Sequence, residues 1–172
     1  MRAVRYFDFN ATTPLLPAAR AALIEALEGG WQNPSSPYAA AAGVHARLDA
    51  ARARLGELLS CPPECLIFNS GATEGNNALF RWLAETAGEG RVAISAIEHP
   101  CVREAARHYF PGRVIELPVD GDGRVEVAAL EAALASQRLA LVSIMAANNE
   151  TGVLQDWAGL LARCREAGVP FH

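Results

Sequence analysis

The chain has 172 residues, of which 51% are apolar and 20% charged, and its formal net charge is −4. That length suits one domain with a buried core, and the mildly acidic balance excludes a nucleic-acid-binding or anionic-membrane surface. No apolar run reaches the roughly 18 residues of a bilayer span. An acidic residue, Asp8, precedes any hydrophobic leader core, so neither a membrane anchor nor a signal peptide is expected.

In chain order, a helix is expected over 17–28, opened by Pro17 and closed by Gly29 and Gly30. A longer helix follows over 39–60, with Val44, Leu48, Ala51, Leu55, Leu58 and Leu59 along one face. The apolar run Cys65-Leu66-Ile67-Phe68 predicts a short buried strand. Further strands are expected over 91–96, 113–117, 139–145 and 169–172, with helices over 75–86, 101–109, 127–135 and 156–167. Continuous apolar strands such as Leu139-Ala140-Leu141-Val142, alternating with amphipathic helices, predict an α/β fold. Its sheet is mostly parallel, with helices on both faces. Asp120-Gly121-Asp122-Gly123 lacks the third oxygen ligand and the later glutamate of a calcium loop, and is read as a turn.

The most informative stretch is Ser70-Gly71-Ala72-Thr73-Glu74-Gly75-Asn76-Asn77, small residues between a strand and a helix. The first N–H groups of a helix have no partner within it, and glycine lets a ligand approach the backbone. Those donors, the dipole and the Thr73 hydroxyl suit a phosphate; the alternative is a tight turn capped by Thr73 or Ser70. The dinucleotide-binding and P-loop glycine patterns are both absent.

Ligands of α/β sheets gather at the carboxyl ends of the strands. Two further polar loops fall there, Glu98-His99-Pro100 and Asn148-Asn149-Glu150-Thr151-Gly152. His99 is either a loop or capping residue, or a flat ring able to lie on a ligand and move protons. The asparagine pair is either a turn or a set of amide contacts leaving a buried strand.

Together these segments resemble the fold type I pyridoxal-phosphate enzymes of the class V aminotransferase group, and within it the cysteine desulfurases. The N-terminal Asp8-Phe9-Asn10-Ala11-Thr12-Thr13-Pro14 and Asn33-Pro34-Ser35-Ser36 fit the same pattern, while Gln32 and Tyr38 depart from it. The resemblance implies the N-terminal part of an aspartate aminotransferase-like large domain. Residues 1–15 would be an N-terminal segment and 16–172 an incomplete cofactor-binding domain. It implies pyridoxal 5'-phosphate held by Ala72, Thr73, His99 and Asn149, with His99 catalytic and Asn10 and Asn149 on the substrate. The implied partners are L-cysteine, a second copy of the chain and a sulfur-acceptor protein, in the cytoplasm, with iron–sulfur assembly as an outlet. A related lyase or aminotransferase on another small amino acid, or a non-catalytic remnant, is the competing reading.

All fifteen basic residues are arginine, so no Schiff-base lysine is present. The family's aspartate, glutamine, lysine and acceptor cysteine are expected in a missing C-terminal portion or a completing chain. Without the later strands, the strand over 65–68 is expected to lose its neighbours. Cys61, Cys65, Cys101 and Cys164 form no metal-like cluster, which suits reduced thiols and no metal. Cys101 lies near His99, but the resemblance places the sulfur-accepting thiol elsewhere.

Overall fold

The computed structural model describes residues 5–172. They fall into two compact units, one ending at Phe68 and the other spanning Asn69–His172. The first holds α1 (Pro17–Gly29), α2 (Ala39–Leu59) and a single 3-10 turn, Pro63–Cys65. Pro17 stands in the first turn of α1, where its missing N–H has no acceptor to lose. The Gly30 N–H closes the other end on the Ala26 carbonyl at 2.8 Å. After α2 the chain folds back so tightly that a Cβ on Gly56 would meet the Cys61 carbonyl oxygen at 2.8 Å. Only glycine fits that approach.

One expected strand does not form. Cys65 closes the 3-10 turn, and residues 66–69 carry no ladder. Ile67 is 84% exposed, so the run is not buried either. The three strands of the sheet are all taken from later in the chain, and none of them pairs with this segment. An apolar run without a neighbouring strand has nothing to satisfy its backbone groups except water. The apolar side chains of α2 share this fate: Leu58 and Leu59 are both exposed.

The second unit runs α3 (Ala72–Thr86), β1 (Arg91–Ser95), α4 (Pro100–Tyr109), β2 (Val114–Leu117), α5 (Val127–Ser136), β3 (Leu139–Ser143) and α6 (Trp157–Glu166). Both strand pairings of the sheet are parallel, in the order β2-β1-β3. Parallel neighbours require crossovers, and right-handed ones to opposite sides of β1 put successive helices on opposite faces. The core records this. Val92 and Ile94 of β1 pack with Phe80 and Leu83 of α3 and Val102 and Ala106 of α4. Ala93, between them, turns to Leu130 of α5 and Leu160 and Cys164 of α6. The period-two alternation of a strand buried on both faces thus joins two apolar layers through one sheet. The expected parallel sheet with helices on both faces is what this unit contains.

The expected strand over 169–172 appears as one parallel bridge, Val142 to Phe171. Its backbone bonds run from Val142 N–H to Pro170 O and from His172 N–H to Val142 O. The Asp120 segment is the turn that was expected, with the Asp120 carboxylate accepting from the N–H groups of Asp122 and Arg124 at 2.9 Å each.

Ile94 is fully buried in the central strand. Ile94→Ala in the intact protein should lower the unfolding free energy by about 3 kcal/mol through lost transfer energy and a residual cavity, read as a shifted urea midpoint at unchanged slope.

Candidate functional site

The site is assembled at the carboxyl edge of the sheet by three connections of the second unit. The first is the entry to α3. Asn69 makes an Asx turn, its Oδ1 accepting from the Gly71 N–H at 2.9 Å. Gly71 then takes φ 148°, a region open to glycine and closed to other residues. It is the residue that caps α3, and it has no side chain to offer, so this end carries no side-chain cap. Neither Ser70 nor Thr73 caps the helix. The Ser70 N–H and hydroxyl instead donate to Glu74 at 2.8 and 2.6 Å. These bonds hold the Glu74 carboxyl below its ordinary range. The amides of Ala72 and Thr73, first and second in α3, thus face outward with the positive end of the dipole behind them.

The second connection leaves β1. Glu98 is 5% exposed, and one oxygen of its carboxylate accepts from the Ser95 hydroxyl at 2.7 Å and from the Met145 N–H at 2.6 Å. It therefore ties the end of β1 to the end of β3. Burial nonetheless raises its pKa, more than these two bonds lower it. Next to it, His99 caps α4, its Nδ1 accepting from the Cys101 N–H at 3.1 Å, and Pro100 opens the helix.

The third connection follows β3. The Asn148 Oδ1 accepts from the N–H groups of Glu150 and Thr151 at 2.9 Å each, and its Nδ2 donates to the Ile97 carbonyl at 3.3 Å. The turn carrying Asn149 is thereby fastened to the loop that carries His99.

His99 is where the connections meet, for it lines three neighbouring clefts. One of about 510 Å³ also takes Thr73 and Asn77; one of about 300 Å³ takes Asn148 and Asn149. A third of about 370 Å³ takes Glu98, Ser143, Trp157 and His172. Of the residues singled out in the sequence, Thr73, His99 and Asn149 are brought together, with Ala72 one residue before Thr73 at the start of the same helix. Asn10 belongs to the other unit, in a turn that Asp8 closes on Ala11. Sequence reasoning missed the Ser95–Glu98–Met145 bridge and the Ser143 hydroxyl 2.9 Å from His172 Nδ1. It also missed Asn76, whose side chain reaches Cys101. A serine closing each apolar strand, at Ser95 and Ser143, was the available signal.

The arrangement offers helix-start amides, an imidazole and amide side chains around one rim of a parallel sheet. That is the edge at which α/β sheets bind their ligands. The model of the class-V aminotransferase family matches residues 5–172, and the chain belongs to that family. Its relatives include "Cysteine desulfurase IscS" of Rickettsia felis, 34% identical over 97% of this chain and 42% of that protein. "Cysteine desulfurase" of Cereibacter sphaeroides is 38% identical over 97% of this chain and 44% of its own length. Among solved structures, the NifS-like protein from Rickettsia africae superposes with a TM-score of 0.83 at 30% identity. It matches 96% of this chain with 46% of its own. The chain thus spans less than half the length of the curated relatives it matches.

Because burial raises the Glu98 pKa above 4.5, the folded state holds more protons than the unfolded state between that value and the raised one. Stability contributed by this group therefore falls as pH rises through that interval. Comparing urea unfolding of the intact protein with Glu98→Gln across pH should show that component vanish in the variant.

Proposed function

We propose that these residues are the N-terminal, cofactor-seating part of a pyridoxal-phosphate-dependent cysteine desulfurase, which converts L-cysteine to L-alanine. The observation that carries the reading is the placing of His99 in all three clefts, beside the uncapped start of α3 and the Asn149 turn. The donor set fits the cofactor's chemistry. The Ala72 and Thr73 amides suit a phosphate ester at a helix start, with the Thr73 hydroxyl beside them. His99 supplies a flat ring for an aromatic one, and Asn149 an amide at the opposite side of the rim.

Bound there, pyridoxal phosphate would supply an electron sink for charge developing on the substrate's α-carbon. The chain's own part is to grip, orient and move protons. Helix-start amides fix the anionic end, and α4 pins His99 through its cap. The imidazole moves protons at the substrate carbons, and the carbon relieved of sulfur gains one. In the net reaction the substrate's carbon–sulfur bond breaks, an acceptor thiolate gains a sulfur–sulfur bond, and the carbon takes a proton. The lysine comes from outside these residues, since none occurs among them, and the proposal takes the acceptor thiol from outside them as well. A homodimer, a separate sulfur-acceptor protein and an outlet into iron–sulfur assembly complete the proposal. A cytoplasmic setting accords with the four cysteines being free thiols.

Titrating the intact protein, these residues together with the portion that carries the lysine, should give saturable absorption changes with pyridoxal phosphate, and the loaded protein should release alanine from L-cysteine, whereas residues 1–172 alone should release none. Saturation without alanine release would overturn the desulfurase reading. Ala72→Pro removes one N–H at a position where a helix accepts proline. Affinity for pyridoxal phosphate should fall roughly tenfold, the worth of one charge-assisted hydrogen bond, with the urea midpoint unmoved. His99→Gln should lower kcat by about 10²–10⁴-fold while leaving cofactor saturation attainable.

A further inference from the structure

Cys101 and Asn76 have no part in the chemistry above, yet both bear on its central histidine. The Nδ1 of His99 accepts the Cys101 N–H at 3.1 Å, so that nitrogen presents a lone pair and carries no proton. The Cys101 Sγ lies 3.0 Å from the same Nδ1. A nitrogen without a proton cannot donate to sulfur, so in this contact the thiol is the donor, sharing with the Cys101 N–H the single lone pair of Nδ1. The remaining side of Sγ accepts from the Asn76 Nδ2 at 3.1 Å. Asn76 is 7% exposed and stands in the second turn of α3, so its amide is held in place by the helix that opens at Gly71. The bonds run in one direction: amide to sulfur, thiol to imidazole.

We propose that Asn76 and Cys101 are positioning residues that hold His99 in its neutral tautomer with the ring proton on Nε2. The use of this tautomer rests on the proposed function: a resting His99 that bears a proton on Nε2 gives a hydrogen bond to what lies against it, and gives up a proton only after the ring has taken a second one. The relay also links the start of α3 to the cap of α4, so the two elements that frame the cleft of about 510 Å³ are set by the same contacts. A thiol is a weak donor, so Cys101 biases an equilibrium that its backbone N–H has already tilted.

The test is nitrogen-15 NMR of histidine-labelled intact protein at mildly alkaline pH, with His99→Gln identifying its resonances. Nδ1 should show the shift of an unprotonated ring nitrogen and Nε2 that of a protonated one. In Cys101→Ala the population protonated at Nδ1 should rise roughly threefold, the scale of one weak hydrogen bond, and Cys101→Ser should restore the original ratio. A protonated Nδ1 in the parent protein overturns the proposal outright. An unchanged ratio in Cys101→Ala removes Cys101 from it. The ring nitrogens are read with or without cofactor, so failure of the absorption titration and failure of this proposal are separate results.

Discussion

The strand order β2-β1-β3 is the constraint on which the site depends. The chain lays down β1, crosses by α4 to β2 on one side, then returns by α5 to β3 on the other. Two right-handed crossovers in opposite directions leave α4 and α5 on opposite faces and open a crevice above the carboxyl ends of β1 and β3. The His99 loop and the Asn149 turn rise from those two ends. Neither would face the other if β3 had added beyond β2.

Holding the crevice in shape falls to a buried carboxylate. Glu98 accepts from Ser95 on its own strand and from Met145 on the neighbouring connection. The Asn148 amide repeats the link through Ile97. A buried carboxyl is costly unless hydrogen-bonded, and its bonds here are what join the two loops. The start of α3 follows the opposite plan. Glycine replaces a capping side chain, so the helix keeps its outermost donors for a partner. One rim thus combines a carboxylate oxygen that accepts two bonds with uncommitted donors.

Much of this was legible in the sequence because it is local. Pro17, Pro100 and the glycines mark helix ends; α4 and α6 fall within two residues of the expected spans. The start of α3 lies three residues earlier than the apolar spacing indicates, because Ala72, Thr73 and Glu74 are polar or small and leave no hydrophobic signal. The run Cys65–Phe68 misled for a related reason: β propensity measures fit to a half-buried pleated surface, and no strand lies beside it to make one. His99 showed how alternatives can both hold. It is the cap of α4, and its ring still lines the clefts.

By itself, the sequence determined the alternation of strands and helices, the turn chemistry at Gly71 and Asp120, and the polar character of the strand ends. These follow from periodicity and from residues whose conformational range is narrow. Only the tertiary structure decided which strands are neighbours, that one carboxylate bridges two of them, and that an amide of α3 reaches a thiol of α4. Such contacts join positions 25 to 47 residues apart, and no local preference encodes the distance between them. Burial in one shared core brings them within bonding range.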